Sequence, residues 1–345
     1  MRKSVWILSL VSTISCTTST KSSDSGAGDD LTSDNSGPYG ECGCPDDNNA
    51  PRSPVESVTI ASIHLSGHAH TESSGDVTIV LNPVVHTGST DRVRTLTEDQ
   101  LQLSMGGTSV PLTELAKVDE DHPVSTDIVF VLDTTGSMFW AIDGVQSGVR
   151  SFLNVVQDTG IDAQVGGVEY GDQVRTSIDL TTAADVKSWV GGLSANGGSD
   201  AAESPLDAIL YAHSEFSWRA DAQRFMVVVT DEGMNECGVG CSGTTLAEVV
   251  DVTRGSVLYG VVHAKLWEPS GVDPKKLVRA AGGLYVSPTE LDILDFDISD
   301  DTPLDDFLAD THRITIAADD IPTGANSVEV TVTDDGDTAT VSFSF

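Results

Sequence analysis

Apolar positions along this chain follow two different periods. Between residue 125 and about residue 300, short continuous apolar runs alternate with stretches at helical spacing. Ile128–Leu132, Ala163–Tyr170, Phe225–Val229, Val257–Val262 and Leu284–Val286 read as buried strands. Ile142, Val145, Val149, Phe152, Leu153 and Val156 recur on one helical face. Ala183–Val190, Leu246–Val252 and Pro274–Ala281 predict further helices, the last stopped by Gly282-Gly283. Arg175–Leu180 reads as a short edge strand. Alternating strand and helix is the pattern of a mostly parallel, doubly wound sheet covered on both faces.

On either side of that region the period is two. Val58–Leu65, Val77–Leu81 and Leu101–Met105 precede it, the last running into a Gly106-Gly107 turn. Arg313–Ile316, Ser327–Val332 and Thr338–Phe343 follow it, with Asp334-Asp335-Gly336-Asp337 as a hairpin turn. Neither set makes a large sheet alone. The expected fold is an antiparallel β-sandwich assembled from both sets, with the α/β domain inserted; two separate small β modules are the alternative. The resulting division is a signal peptide at 1–15, a tether at 16–54, sandwich strands at 55–120, the α/β domain at 121–310 and sandwich strands again at 311–345. No element is assigned to the acidic stretch 292–310.

Charge narrows the function. With 53 acidic and 18 basic residues the formal charge is −35, which repels a nucleic-acid backbone. The same carboxylates suit cation binding or plain solvation.

The N-terminus carries Arg2 and Lys3, an apolar Val5–Val11 and small residues up to Ser15-Cys16. That is an export signal too short to span a bilayer. Cys16 after a small residue resembles a bacterial lipoprotein lipobox, with Thr13 and Ile14 departing from its usual residues. The resemblance implies lipidation at Cys16 and a cell-envelope location, with the lipid as the sole membrane attachment; cleavage nearby without lipid is the alternative. Residues 17–54, rich in Ser, Thr, Asp, Gly, Asn and Pro, read as a tether. Export permits disulfides. Cys237 and Cys241 flank the flexible Gly238-Val239-Gly240 and are candidates for a bridge, while Cys42 and Cys44 leave other pairings open. A zinc site is the rival reading, and no histidine lies near either pair. His68 and His70 share a strand face that metal can use, although strand histidines are more often simply exposed.

Three loops carry the chemistry. Asp133, Thr135 and Ser137 follow the first buried strand. Asp200 and Glu203 precede a helix for which Ser204 is the expected cap and Pro205 the first residue, with Leu206, Ile209, Leu210 and His213 expected toward the core. Asp231 ends the Phe225–Val229 strand. In a doubly wound sheet these joints share one edge, where ligands bind. An all-oxygen donor set suits a hard cation. Neutral hydroxyls leave that cation with positive charge, and Mg2+ keeps exchangeable waters.

Asp133-x-Thr135-x-Ser137 after a buried strand resembles the metal-ion-dependent adhesion site of von Willebrand factor A domains. Asp200-Ala201-Ala202-Glu203 followed by Asp207-Ala208-Ile209 resembles the second loop of the integrin-β-like branch, with Ala202 where that branch has proline. Thr230-Asp231 resembles the third loop, and Leu277–Tyr285 the family's last helix and strand. The resemblance covers about half the chain. It implies Mg2+, or Mn2+ or Ca2+, held by Asp133, Thr135, Ser137, Asp231 and either Glu203 or Asp200. It also implies a non-catalytic adhesion protein that binds an acidic side chain of a protein partner. A scaffold subunit with a structural metal is the second reading. A third is an enzyme: Asp133-Thr134-Thr135-Gly136-Ser137 faintly resembles the aspartyl-phosphate motif of P-type ATPases, with Asp133 as nucleophile. Thr134 replaces the lysine expected there, and no membrane helices are predicted.

Overall fold

The computed structural model describes residues 63–82, 84–86, 92–93, 95–118, 124–159, 162–198, 202–235, 244–263, 272–287 and 310–345. The expected signal peptide, tether, Cys16 lipidation site, Cys237–Cys241 bridge and Asp200 lie outside the described residues.

In chain order the N-terminal strands of the two larger flanking sheets are β1 (Gly67–Thr71), β2 (Val77–Leu81), β3 (Leu101–Met105), β4 (Thr108–Ser109) and β5 (Glu114–Lys117). The α/β part follows as β6 (Thr126–Asp133), α1 (Ile142–Thr159), β7 (Ala163–Tyr170), β8 (Val174–Thr181), α2 (Ala183–Val190), α3 (Pro205–Glu215), β9 (Gln223–Thr230), α4 (Leu246–Val252), β10 (Ser256–Val262), α5 (Pro274–Ala280) and β11 (Leu284–Val286). The chain then forms β12 (His312–Ile316), β13 (Ser327–Asp334) and β14 (Asp337–Ser344).

The central sheet has the order β8-β7-β6-β9-β10-β11. All its pairs are parallel except that of β7 with the edge strand β8. Each residue of β6 is buried, because helices cover both faces. Ile128, Phe130 and Leu132 pack with α1 and α2, while Val129 and Val131 pack with α3, α4 and α5. This two-sided burial explains why the strand reads as a continuous apolar run.

Besides a small antiparallel sheet of the short strands Ile63–His64, Val84–His86 and Arg92–Val93, the flanking strands form two four-stranded antiparallel sheets, β1-β2-β12-β5 and β14-β13-β3-β4. Each sheet contains strands from both ends of the chain, and the two share one apolar core that includes Ile79, Leu81, Leu103, Ile314 and Val330. The β13–β14 turn uses Asp335 at φ 47° and Gly336 at φ 89°, the left-handed pair that matches hairpin twist. The fold class expected from periodicity is therefore the observed one. Lys117 pairs with His312, so the chain leaves the sandwich and returns to it on adjacent strands.

The sandwich meets the α/β sheet at the N-terminal ends of the parallel strands. Gln223, the fully buried first residue of β9, donates from Nε2 to Asn82 Oδ1 (2.8 Å) and Thr311 Oγ1 (2.5 Å), and Asn82 donates to Ser66 Oγ (2.9 Å). The rings of His68 and His70 stack 5.9 Å apart. These two histidines are half-buried rather than exposed, because β1 faces the α/β unit near Asp221 and Arg224. The α3 helix also departs from expectation: Ala208 and Ala212 face the core with Leu206 and Ile209, leaving Leu210 and His213 part-exposed. Ser204 occupies the cap position but gives its hydroxyl to the Asp172 carbonyl (2.8 Å).

Burial, with Arg254 nearby, lowers the His64 pKa to about 4. Burial, with His70 and Arg224, lowers that of His68 to about 4. Burial, with Lys117, lowers that of His312 to about 4. His312 Nε2 accepts the Leu96 N–H (3.1 Å), which a protonated ring cannot do. An unfolded histidine titrates near pH 6.5, so between about pH 6.5 and 4 the unfolded chain binds more protons at these positions. The stability gained by keeping them neutral is complete above that window and is lost as pH falls through it. Urea unfolding should show a loss of up to about 1.4 kcal/mol per histidine per pH unit there, and His312→Gln should flatten the slope.

Candidate functional site

Asp133 ends β6 at the edge of the sheet opposite the sandwich, and its carboxylate is fully buried. Its Oδ1 accepts from the Thr135 amide (2.9 Å) and the Thr135 hydroxyl (2.7 Å). Its Oδ2 accepts from the Thr230 hydroxyl (2.7 Å) at the end of the neighbouring strand β9. The Thr135 and Ser137 hydroxyls lie 2.9 Å apart, and Ser137 donates to Asp231 Oδ1 (2.9 Å). One continuous chain of oxygens thus joins Asp133, Thr135, Ser137 and Asp231.

The second loop is brought in by backbone pairing. Ala202 and Glu203 form a short parallel bridge with Gly233 and Met234, directly after Asp231. The Asn235 amide donates to the Glu203 carbonyl (2.7 Å). Glu203 is buried, and a Cβ on Gly198 would stand 3.5 Å from its Oε1 and 3.6 Å from Thr135 Cβ. The fully buried Tyr170 records the convergence of the carboxylates. Burial first, then the charges of Asp133, Glu203 and Asp231, push its phenol well above the usual range.

Crowding carboxylates without water is costly. Burial, then the neighbouring Asp231, pushes Asp133 up to about 6, opposed by the Thr135 and Thr230 hydrogen bonds. Burial, then Glu232, pushes Asp231 up to about 6, opposed by hydrogen bonds from Ser137 and Trp140. Among the described residues no cluster of three or more His, Cys, Asp or Glu side chains is arranged to hold a metal. The gathered donors are instead two aspartates and two hydroxyls, with Glu203 alongside. Such a mixed oxygen set fits a hard divalent cation, whose charge would offset the burial and the like-charge repulsion that raise both aspartates.

Five of the six residues singled out from sequence therefore lie on one edge, and the sixth, Asp200, lies outside the described residues. Thr230 has no separate role in the sequence reading, yet its hydroxyl ties the end of β9 to Asp133 Oδ2. Its signal was a lone hydroxyl closing an otherwise apolar strand. Thr230→Val keeps the shape and removes the donor to Asp133. Urea unfolding in EDTA should show a loss of about 1–3 kcal/mol, as for a buried carboxylate deprived of one hydrogen bond.

Residues 127–262 match the family model for the von Willebrand factor type A domain. Among solved structures, the chain is similar to proximal thread matrix protein 1 from the mussel byssus, solved with a zinc-occupied MIDAS motif. That match has 16% identity and a TM-score of 0.44, and covers 59% of this chain and 50% of the mussel protein. It is also similar to an aerotolerance-related membrane protein from Bacteroides fragilis (14% identity, TM-score 0.39, 53% of this chain and 98% of that one). A third similar structure is BatB from Bacteroides thetaiotaomicron (17% identity, TM-score 0.35, 51% and 98%). No curated protein matches the chain. The α/β region that contains residues 127–262 has the fold of a von Willebrand factor type A domain.

Proposed function

We propose that this domain is a non-catalytic binding module that holds an acidic side chain of a protein partner through a divalent cation, with Mg2+ the natural occupant. The observation that carries this reading is the oxygen chain from Asp133 through Thr135 and Ser137 to Asp231, at distances of 2.7–2.9 Å. Asp133, Thr135, Ser137 and Asp231 would hold the ion, with Glu203 or Asp200 as the further carboxylate of an integrin-β-like site. When bound, the ion supplies a positive centre whose exchangeable water position admits an outside carboxylate. The residues themselves fix the donors, exclude bulk water and keep two hydroxyls neutral, so that the ion's charge is not cancelled.

Phe139 supports a binding rather than a purely structural role. It is 71% exposed, two residues after Ser137, while Met138 beside it is fully buried. A single exposed apolar residue is common on any surface, and it is the place of Phe139 beside Ser137 that would bring it against a partner held by the ion. An aspartyl-phosphate enzyme is the weaker reading, because Asp133 is enclosed by donors from Thr135 and Thr230. The export signal and lipidation at Cys16 would place the module at a bacterial envelope, held by lipid and displayed on its tether. Among the described residues no helix is long and apolar enough to cross a membrane.

Calorimetric titration of the full chain with Mg2+ or Mn2+ should give saturable binding that Asp133→Ala abolishes; unchanged affinity in that variant would refute the reading. Capture of a surface partner should be reversed by EDTA. Phe139→Ser should weaken capture roughly tenfold or more and leave cation affinity unaltered. Capture that persists in EDTA would instead support the scaffold role.

A further inference from the structure

The structure assigns Arg175 as a positioning residue, a clamp that holds the candidate cation site's loops in register; this rests on the metal-site reading above. Arg175 belongs to the edge strand β8, outside all three loops that supply the oxygens. Its Nη1 donates to the Thr134 carbonyl (2.7 Å) and to the Thr134 hydroxyl (2.9 Å). Thr134 lies between Asp133 and Thr135, so this contact grips the first loop at its centre.

The same guanidinium lies against two glycines. A Cβ on Gly171 would collide with it, and one on Gly197 would stand 3.1 Å from Nη2. Both glycines are hydrogen-bonded to the site's loops. The Gly171 carbonyl accepts the amide of Ser204, next to Glu203 (3.0 Å), and the Gly197 carbonyl accepts the amide of Gly136, next to Thr135 (2.8 Å). The Thr134 carbonyl also accepts the Asn196 amide (2.9 Å). One planar cation therefore contacts the segment after β6, the segment after β7 and the segment leading to Glu203. Gly197 adopts φ +68°, the left-handed conformation that turns its carbonyl to Gly136.

The physical consequence is preorganisation. The Asp133, Thr135 and Ser137 oxygens are fixed only as well as the backbone between them. A flexible loop would have to lose that freedom on binding each ion. Groups that orient ligands without touching the metal commonly change affinity by about 10–100-fold. Lysine at this position retains the charge and one donor direction but not the flat fork that fits between two glycines.

The test uses the full chain. Mn2+ affinity is measured by calorimetry, and hydrogen exchange of the Gly136 and Asn196 amides in EDTA, for wild type, Arg175→Met, Arg175→Lys and Gly171→Ala. Arg175→Met should weaken Mn2+ binding about 10–100-fold and speed exchange of those two amides, with exchange in β6 and β9 unchanged. Arg175→Lys should recover part of both effects, and Gly171→Ala, which pushes the guanidinium aside, should shift both in the same direction as Arg175→Met. Unchanged exchange at Gly136 and Asn196 in Arg175→Met overturns the clamp whether or not metal binds. Equal acceleration throughout the domain also overturns it, because that is general destabilisation. Absence of Mn2+ binding in wild type overturns the metal reading, and the exchange arm still decides whether the clamp exists.

Discussion

A carboxylate fixed at the end of a strand that is buried on both faces sets the terms for this domain. Asp133 has no access to water, so every lone pair it presents must be answered by the protein. The amide and hydroxyl of Thr135 and the hydroxyl of Thr230 do this in part. They do not offset burial and the neighbouring charges, Asp231 beside Asp133 and Glu232 beside Asp231, and both aspartates are raised to about 6. The loops, the parallel bridge at Glu203 and the guanidinium of Arg175 hold this unfavourable grouping in place. Strain of this kind concentrates where a protein has a use for it.

The rest of the architecture keeps that grouping rigid and away from the sandwich. β6 and β9 each run eight residues, roughly 25 Å, between the Gln223 junction and the oxygen cluster. The two ends differ in chemistry. At the junction a neutral amide and hydroxyl chain, Ser66–Asn82–Gln223–Thr311, ties the sandwich to β9 and leaves Gln223 Oε1 buried without a hydrogen bond. At the opposite edge the acidic groups are only partly satisfied. One end is therefore built for cohesion and the other for an incoming ligand.

Most of the scaffold was legible because its signals are local. β6, β9 and β10 are continuous apolar runs, and α1 carries an apolar stripe that is buried throughout. Asp133, Thr135, Ser137 and Asp231 drew notice as oxygen-bearing residues at the ends of those runs, and the structure brings them together. The misjudged features depend on tertiary packing. His68 and His70 read as surface residues, yet β1 packs toward the α/β unit. The inward stripe of α3 uses small alanines, Ala208 and Ala212, that carry little periodic signal. Ser204 has the residue type of a cap, but its hydroxyl donates to the Asp172 carbonyl and accepts no amide of the first turn of α3. Arg175 and Thr230 drew no notice in their own right, since nothing about a single arginine on an edge strand tells which loops it will reach.

The pairing of Lys117 with His312 has a mechanical consequence. Both connections to the α/β domain depart from neighbouring strands at one end of the sandwich sheet, with β12 flanked by β2 on its other side. Tension on the α/β domain would divide between two covalent paths rather than pass along one. It would also drag β5 and β12 together lengthwise against β2, so that the hydrogen bonds between β12 and β2 resist together instead of parting one after another.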